Sequence, residues 1–360
     1  MQRHVQARLL ERLQQGWRDA SPPFIVPAAR YRDPARLARE LAAFTAPRPV
    51  LASTALAPGA CAPVDGIGAP ALVVRGQDGT VRAFANSCRH RAMRLRDEPG
   101  ALKALVCPYH GWTYDLAGAL IHVPHAEAFT DCAHRDLRAL AAAERHGLIW
   151  LGGGVDDYLG ELGADLAALE LGAHVPWRSS RVTRACNWKL IIEAFLDGYH
   201  LRVLHRDSIY RFFIDAASAP EQVGPHIRAV SARRPLREAP PVTLASELAE
   251  LGTPSFVIFP GSVIICHPDS ISLLSLVPVA PDSTIVEHTL LVPAARKDDA
   301  AHWDRTWAMI DDAVVQREDL WACEQIQRGL DDELLFGALE SAVRWFHASL
   351  DAVVGEDRVP

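Results

Sequence analysis

Cys88-Arg89-His90-Arg91 and Cys107-Pro108-Tyr109-His110-Gly111-Trp112 are the stretches on which the fold and chemistry of this chain turn. Together they read Cys-x-His, a gap of sixteen residues, then Cys-x-x-His. Two thiolates and two imidazoles make the ligand set of a 2Fe–2S cluster with cysteine on one iron and histidine on the other. Imidazole is neutral where thiolate is anionic, so such a cluster has a higher reduction potential than an all-cysteine one. It passes one electron at a time, and the electron needs a destination. A zinc site uses the same atoms, but zinc knuckles usually open Cys-x2–4-Cys and close with paired histidines, whereas each arm here mixes the two. A Cys88–Cys107 disulfide would suit a secreted protein, and no secretory signal is visible. The donor set therefore reads as a Rieske cluster bound by Cys88, His90, Cys107 and His110.

The bulk numbers set the frame. A chain of 360 residues has room for two domains, and 49% hydrophobic with 22% charged residues is an ordinary globular balance. A net charge of −7 argues against a nucleic-acid or anionic-membrane partner. No apolar run reaches the ~18 residues of a membrane span. The best candidate, Ser255 to Cys266, is broken by Pro260-Gly261. Val5, Leu9 and Leu13 recur at helical spacing among charged residues and predict an amphipathic surface helix. The seven cysteines show no pairing pattern beyond the two assigned, which fits free thiols in a reducing cytoplasm.

From about residue 45 to 155 the pattern is short strands and turns. Ala71–Arg75 and Thr80–Phe84 predict one hairpin, Trp112–Tyr114 and Ala119–His122 a second, and Gly147–Leu151 a closing strand. Both cluster arms then fall at loop tips of a small all-β unit. A helical spacer follows around Tyr158 to Leu171, and a helix after Asn187-Trp188-Lys189. Next comes an irregular, proline-rich stretch from about Ala216 to Val242. Strands at 255–259, 262–266, 270–279 and 284–292 predict an antiparallel meander, and two helices at 300–328 and 332–354 close the chain. The expected organisation is an N-terminal helix and lead-in over 1–44, a cluster domain over 45–155 and a second domain over 156–360, α+β in class.

The helix after Asn187 carries the densest histidine and carboxylate cluster outside the β unit: Glu193, Asp197, Tyr199, His200 and His205. Spacings of four and three put Glu193, Asp197 and His200 on one helical face. His200 and His205 are five apart, and reach one metal only if the helix is distorted by a π-bulge or an early end. Two histidines and a carboxylate on one face of an iron leave positions open for oxygen and substrate. The carboxylate has to come from elsewhere, and Glu318-Asp319-Leu320 is the best candidate.

With these motifs together, the chain resembles the terminal oxygenase (α) subunits of the Rieske non-heme iron oxygenases, the aromatic ring-hydroxylating dioxygenase family, from about residue 25 onward. The resemblance rests on the Rieske pair, Asn187-Trp188-Lys189, Asp197-Gly198-Tyr199-His200 with His205, and Glu318-Asp319 followed by Glu324, Gln327 and Gly329. It departs at Glu193-Ala194-Phe195, where the family often has Glu-Asn-Phe. The resemblance implies a helix-grip (START-like) second domain after the Rieske domain, and His200, His205 and Asp319 as ligands of a mononuclear Fe(II). It implies Asp197 as a carboxylate bridging an iron-ligand histidine to a cluster histidine, the counterpart of His110, on the next subunit. It further implies O2 as co-substrate, electrons drawn from NAD(P)H through a flavin reductase with or without a ferredoxin, and a homotrimer.

The activity implied is hydroxylation or oxidative demethylation of a small organic, aromatic substrate. A quaternary-ammonium monooxygenase of the choline or carnitine type is the alternative, and a pure Rieske electron carrier a more distant one. Glu193, Tyr199 and Gln327 are weaker candidates beside the iron. Phe212, Phe213, Phe256 and Trp321 are candidates for lining a substrate pocket, and Arg89 and Arg91 for a docking face.

Overall fold

The computed structural model describes residues 22–65, 70–129, 134–237 and 251–355; the amphipathic helix expected near the N-terminus lies outside these. The chain divides into two compact units, residues 47–158 and a second unit that joins the residues up to 46 with those from 159 onward.

In chain order the strands are β1 (Phe24–Pro27), β2 (Arg48–Ala52), β3 (Ala60–Val64), β4 (Ala71–Arg75), β5 (Val81–Ala85), β6 (Gly100–Ala101), β7 (Leu105–Val106), β8 (Thr113–Tyr114), β9 (Leu120–His122), β10 (Ala139–Leu140), β11 (Ala142–Arg145) and β12 (Leu148–Leu151). There follow β13 (His174–Arg184), β14 (Phe213–Val223), β15 (His226–Arg233), β16 (Gly252–Ile258), β17 (Ser262–Cys266), β18 (Ile271–Ala280), β19 (Ser283–Pro293) and β20 (Glu333–Phe336). The α-helices are α1 (Ala29–Arg32), α2 (Pro34–Glu40), α3 (Val155–Leu159), α4 (Leu162–Ala167), α5 (Trp188–Leu196), α6 (Leu201–Leu204), α7 (Ala300–Trp307), α8 (Leu320–Gly329) and α9 (Ser341–Val354).

The first unit is all β. A sheet of order β10-β5-β4-β3-β6 lies with the smaller sheets β11-β12-β2 and β7-β8-β9. Strand β4 is buried on both faces, which is why it reads as a continuous apolar run rather than an alternation. Leu72 and Val74 pack with Cys88, Cys107 and Trp112, while Ala71 and Val73 pack with Val50 and Ile149. The expected hairpins are β4-β5 and β8-β9, both antiparallel.

The second unit is α+β, a seven-stranded antiparallel sheet of order β13-β19-β18-β17-β16-β15-β14 with helices packed on it. The long closing helix α9 contacts β14, β15, α2 and α5, the helix-grip arrangement. The expected meander is β16 to β19. Of the stretch expected to be irregular over 216–242, residues 216–223 and 226–233 are instead strand, in β14 and β15, and residues 238–242 lie outside those described. Its prolines mislead because β14 is an edge strand, where Pro220 breaks no interior ladder. The opposite edge, β13, passed unnoticed because its side chains are mostly half-buried and carry no apolar alternation.

Two further expectations need correcting. The closing helix does not begin at 332: residues 333–336 form β20, paired with β1, and Phe24 stacks on Phe336 at 5.0 Å. Gly337 donates its N–H to Glu340 Oε2 and the helix starts at Ser341. The helix expected over 300–328 is continuous, but its middle, Ala308–Asp319, is wound as a π-helix.

Within the second unit, a buried ionic network holds residues 22–46 to the part from residue 159 onward. Lys189 Nζ lies 2.7 Å from Glu40 Oε2, Glu40 Oε1 accepts from Arg36 at 2.8 Å, and Arg36 reaches Asp351 at 3.0 Å. Burial pushes the Lys189 ammonium pKa down, against the pull of Glu40. Asn187 caps α5 by accepting from Lys189 N–H, and its amide donates to the carbonyls of Tyr31 and Pro281. The Asn-Trp-Lys motif is therefore structural glue. No helix among the described residues is long and apolar enough to cross a membrane.

Removing one partner of a buried ion pair leaves its counter-charge stranded. Glu40→Ala is therefore expected to destabilise the protein by roughly 3–5 kcal/mol, read as a lower denaturant midpoint.

Candidate metal centres

The two cluster arms are built on the same backbone loop. Cys88 N–H donates to the Met93 carbonyl at 2.8 Å and Ala92 N–H to the Cys88 carbonyl at 2.9 Å. In the second arm Cys107 N–H donates to the Trp112 carbonyl at 2.8 Å and Gly111 N–H to the Cys107 carbonyl at 3.0 Å. The fourth residue after each cysteine has a left-handed backbone, Ala92 at φ 59° and Gly111 at φ 72°. Both thiols are buried and unbridged, and both belong to the apolar core of the unit. The imidazoles of His90 and His110 pair further out, with centroids 4.8 Å apart. Trp112 stacks flat on His90 at 5.0 Å and Tyr109 on His110 at 3.7 Å.

These donors fit the cluster. Paired thiols face inward and paired imidazoles face out, and His90 Nδ1 is buried with no hydrogen-bond partner among the described residues. Tyr114 is buried, its hydroxyl 3.3 Å from Cys88 Sγ, and it accepts the Arg89 N–H at 3.0 Å. The tyrosine is therefore placed to donate to the sulfur. Arg89 and Arg91 are exposed, and Arg91 lies over the Tyr109 ring.

In the second unit, Glu193, Asp197 and His200 do not share a helical face as the spacing suggested. Helix α5 stops at Leu196, Asp197 is extended (φ −101°, ψ 126°), and the short α6 starts after His200. The early end is what lets two histidines five apart face each other. His200 Nε2 and His205 Nε2 are 3.1 Å apart, and Asp319 Oδ1 lies 3.0 Å from His205 Nε2 and 3.6 Å from His200 Nε2. The donor atoms of His200, His205 and Asp319 all fall within 4.8 Å of one another. Asp319 Oδ1 is buried and has no hydrogen-bond partner among the described residues. Three donor atoms converging this closely fit a metal ion.

Carboxylates hold the far side of each ring. His200 Nδ1 lies 3.2 Å from Asp197 Oδ2, and His205 Nδ1 lies 2.7 Å from Glu318 Oε2. A carboxylate at Nδ1 fixes the proton there and turns the Nε2 lone pair inward. Burial alone would lower the His205 pKa; neighbouring Asp319 and Glu318 outweigh it and raise it. Glu318, with Ser208 donating to it at 2.7 Å, was missed as a positioning residue. The signal was present in the adjacent acids Glu318-Asp319, of which the sequence pointed to one.

The downstream motif residues fix the geometry rather than touch it. Glu324 accepts the Ala185 N–H at 3.0 Å and Gln327 the Asn187 N–H at 2.9 Å, docking α8 on the start of α5. Glu193 is tied to the Tyr31 hydroxyl at 2.7 Å and to His347 at 2.8 Å. Tyr199 is 62% exposed, pointing away from any buried site.

A cavity of about 380 Å³ opens beside the triad. The π-helix presents Met309, Val314 and Asp319, five residues apart, to this one cavity. Phe212 and Phe213 line it too, whereas Phe256 is sealed in the sheet and Trp321 is half exposed, so neither lines the pocket. Behind the wall runs a hydrogen-bonded chain: His267 to Ser272 at 2.9 Å, Ser272 to His288 at 2.9 Å, His288 to Asp311 at 2.7 Å.

Residues 170–356 match the model of the ring hydroxylating alpha subunit catalytic domain, and residues 46–141 that of the Rieske [2Fe-2S] domain. The chain belongs to the ring hydroxylating alpha subunit family. Among curated relatives, the chlorobenzene dioxygenase alpha subunit of Cupriavidus sp. (strain PS12) is 37% identical over 179 residues, 44% of this chain and 40% of the relative. The glycine betaine monooxygenase oxygenase subunit of Chromohalobacter salexigens is 37% identical over 144 residues, 38% of this chain and 32% of the relative. The matched stretches thus span well under half the length of these relatives. Among solved structures, the quaternary ammonium Rieske monooxygenase CntA aligns with a TM-score of 0.80 at 19% identity, covering 96% of this chain and 98% of that one. Naphthalene 1,2-dioxygenase from Rhodococcus sp. aligns with a TM-score of 0.74 at 19% identity, covering 98% and 97%. At that identity the likeness is one of fold.

Two consequences of the geometry are measurable. Glu318→Ala should weaken ferrous-ion binding by about 10–100-fold in chelator competition, with the fold retained by circular dichroism. Tyr114→Phe should lower the midpoint potential of the cluster by on the order of 50 mV in a redox titration, the equivalent of one hydrogen bond lost to a reduced, more anionic sulfur.

Proposed function

We propose that this chain is the terminal oxygenase component of a Rieske oxygenase system, taking electrons from a reductase and using O2 to oxidise a small organic substrate. The observation that carries the proposal is the convergence of His200, His205 and Asp319 at a cavity, in a chain that also holds a Rieske ligand set. In it residues 45–155 form the cluster domain and 156–360 the mononuclear iron domain, with 1–44 as lead-in. Cys88, His90, Cys107 and His110 hold the cluster; His200, His205 and Asp319 hold Fe(II). When bound, the cluster supplies single electrons and the ferrous ion supplies open positions at which O2 is activated.

The chain's own residues do the positioning. Asp197 and Glu318 hold the Nδ1 protons of the two histidines, so both rings present Nε2 lone pairs. Asp197 is also half-buried rather than sealed, which suits a bridge to a histidine such as His110 of a neighbouring copy. Such a bridge requires a head-to-tail ring, here a homotrimer. For a solved quaternary ammonium Rieske monooxygenase that shares this fold, insights into inter-subunit electron transfer have been described. A flavin reductase, with or without a ferredoxin, is the expected donor, and exposed Arg89 and Arg91 beside the cluster loop suit its docking. The six described cysteines are buried and unpaired, which suits a reducing cytoplasm.

An aromatic substrate draws support from the dioxygenase relatives, and a quaternary-ammonium substrate from the glycine betaine monooxygenase relatives. The cavity itself lends the second reading little: among the described residues its phenyl rings are Phe195, Phe212 and Phe213, and no tryptophan or tyrosine lines it to build a cation cage.

Anaerobically reconstituted protein should hold about three irons per chain, against about two for an electron carrier. Asp197→Asn should keep all of them, yet reoxidise its reduced cluster under O2 at least about tenfold more slowly. Full-speed reoxidation in that variant would remove the bridge.

A further inference from the structure

Arg233 ends β15 and lines the cavity. Its guanidinium lies 5.6 Å from the Phe212 ring and 5.7 Å from the Phe213 ring, held over two aromatic faces. Several other arginines withdrawn from solvent have carboxylates: Arg36 has Glu40 and Asp351, Arg228 has Asp165 and Glu221, Arg75 has Glu144. Arg233 has none among the described residues. One acid of the cavity lining, Asp269, is already taken by His302 at 2.7 Å and Arg296 at 3.5 Å. Burial lowers the Arg233 pKa with no anion to offset it. A half-buried, unpaired cation is a cost that a protein removes unless something binds there.

The surroundings have the same bias. Strand alternation puts Ser231 and Arg233 on one face of β15, and Thr253, directly opposite Ser231, with Ser255 on the same face of β16. Across the cavity wall lie His267, Ser270 and Ser272. Thr253 Oγ1 and Ser270 Oγ are buried, with no hydrogen-bond partner among the described residues. Thr253 is 7% exposed and Ser270 2%. The pKa of His267 is pushed down to about 3, by burial first and then by neighbouring His288, so it adds no positive charge of its own. One cation and two idle hydroxyls thus line the same cavity as the triad, with Ile209, Ile310, Val314 and Val315 supplying apolar wall.

We propose that the substrate is a small organic carboxylate, its anionic head bound by Arg233 with Thr253 and Ser270, and its apolar body reaching toward His200, His205 and Asp319. The guanidinium fork matches a carboxylate in two parallel hydrogen bonds, and each hydroxyl can donate one more. At about 380 Å³ the cavity lies at the low end of small-molecule sites, ~300–1,000 Å³, which suits a single ring or a short chain. A neutral hydrocarbon would leave the cation and both hydroxyls unpaired and is disfavoured. The inference rests on the iron-site assignment only for the direction in which the substrate body points.

The test is a binding experiment on the full-length, metal-loaded protein, with iron content and visible spectrum recorded for every preparation. Benzoate, phenylacetate and 3-phenylpropionate are titrated calorimetrically, each against its primary amide, with trimethylphenylammonium as the cationic probe. At least one acid should bind about tenfold or more tightly than its amide. Arg233→Gln should abolish that preference while leaving metal content unchanged, and Arg233→Lys should restore part of it. No acid preferred over its amide, or the cation bound best, overturns the proposal. So does a preference that survives Arg233→Gln, since the carboxylate would then sit on the iron. Absent iron with an intact, Arg233-dependent preference would sink the oxygenase assignment and leave the carboxylate site standing.

Discussion

Two imidazoles face one point only because something holds each of them by the back. His200 and His205 present their Nε2 atoms 3.1 Å apart, an arrangement of two lone pairs that repels unless a cation lies between them. Asp197 and Glu318 keep the rings from turning away by accepting at Nδ1. Each of the surrounding features can be traced to that need. Helix α5 ends at Leu196 so that Asp197 can leave the helix and reach back to His200. The π-helix ends on Asp319, with Glu318 just before it, so adjacent acids reach opposite sides of the same ring. Glu324 and Gln327 then lock α8 to the backbone at the head of α5, which fixes the carboxylates relative to the histidines.

The cluster unit solves its placement by repetition. One loop, used twice, supplies a cysteine at its base and a histidine nearer its tip. The spacings differ, Cys-x-His against Cys-x-x-His, yet the backbone hydrogen bonds run over the same intervals from each cysteine. Only the second arm uses glycine at the left-handed position; the first places Ala92 there and bears the local strain. The thiols sit in the apolar core while the imidazoles lie nearer solvent, so the imidazole side of the loop pair is the side turned outward.

How far the sequence could be read followed from what each element does. The cluster motif, both hairpins of the first unit and the β16–β19 meander were legible, because apolar alternation and turn residues coincide there. The two edge strands were not: β13 carries no alternation, and β14 carries Pro220, which interior-strand logic counts against a strand. The π-winding was equally hidden, since its signature is a five-residue spacing of Met309, Val314 and Asp319 that makes sense only once the cavity is known. At the iron site the residue types were readable and their support was not. Glu318 looks like any acid beside another, and its distinct role depends on a partner 113 positions away.

The sheet face under the cavity shows why pocket chemistry is harder to read than metal chemistry. On β15 to β18 one set of alternate residues packs the core, and the other set should be apolar too if its only task were to sit under helices. Instead Ser231, Arg233, Thr253, Ser255 and Ser272 lie there beside Ile265, with Ser270 just ahead of β18. In a sequence these positions look like the solvated side of an amphipathic strand. In the fold they are covered, and covering an unpaired guanidinium and idle hydroxyls lowers stability. Departures from local folding rules concentrate at sites that bind something. The stability given up at Arg233, Thr253 and Ser270 is the physical reason to look for an anion there, and it is independent of any metal.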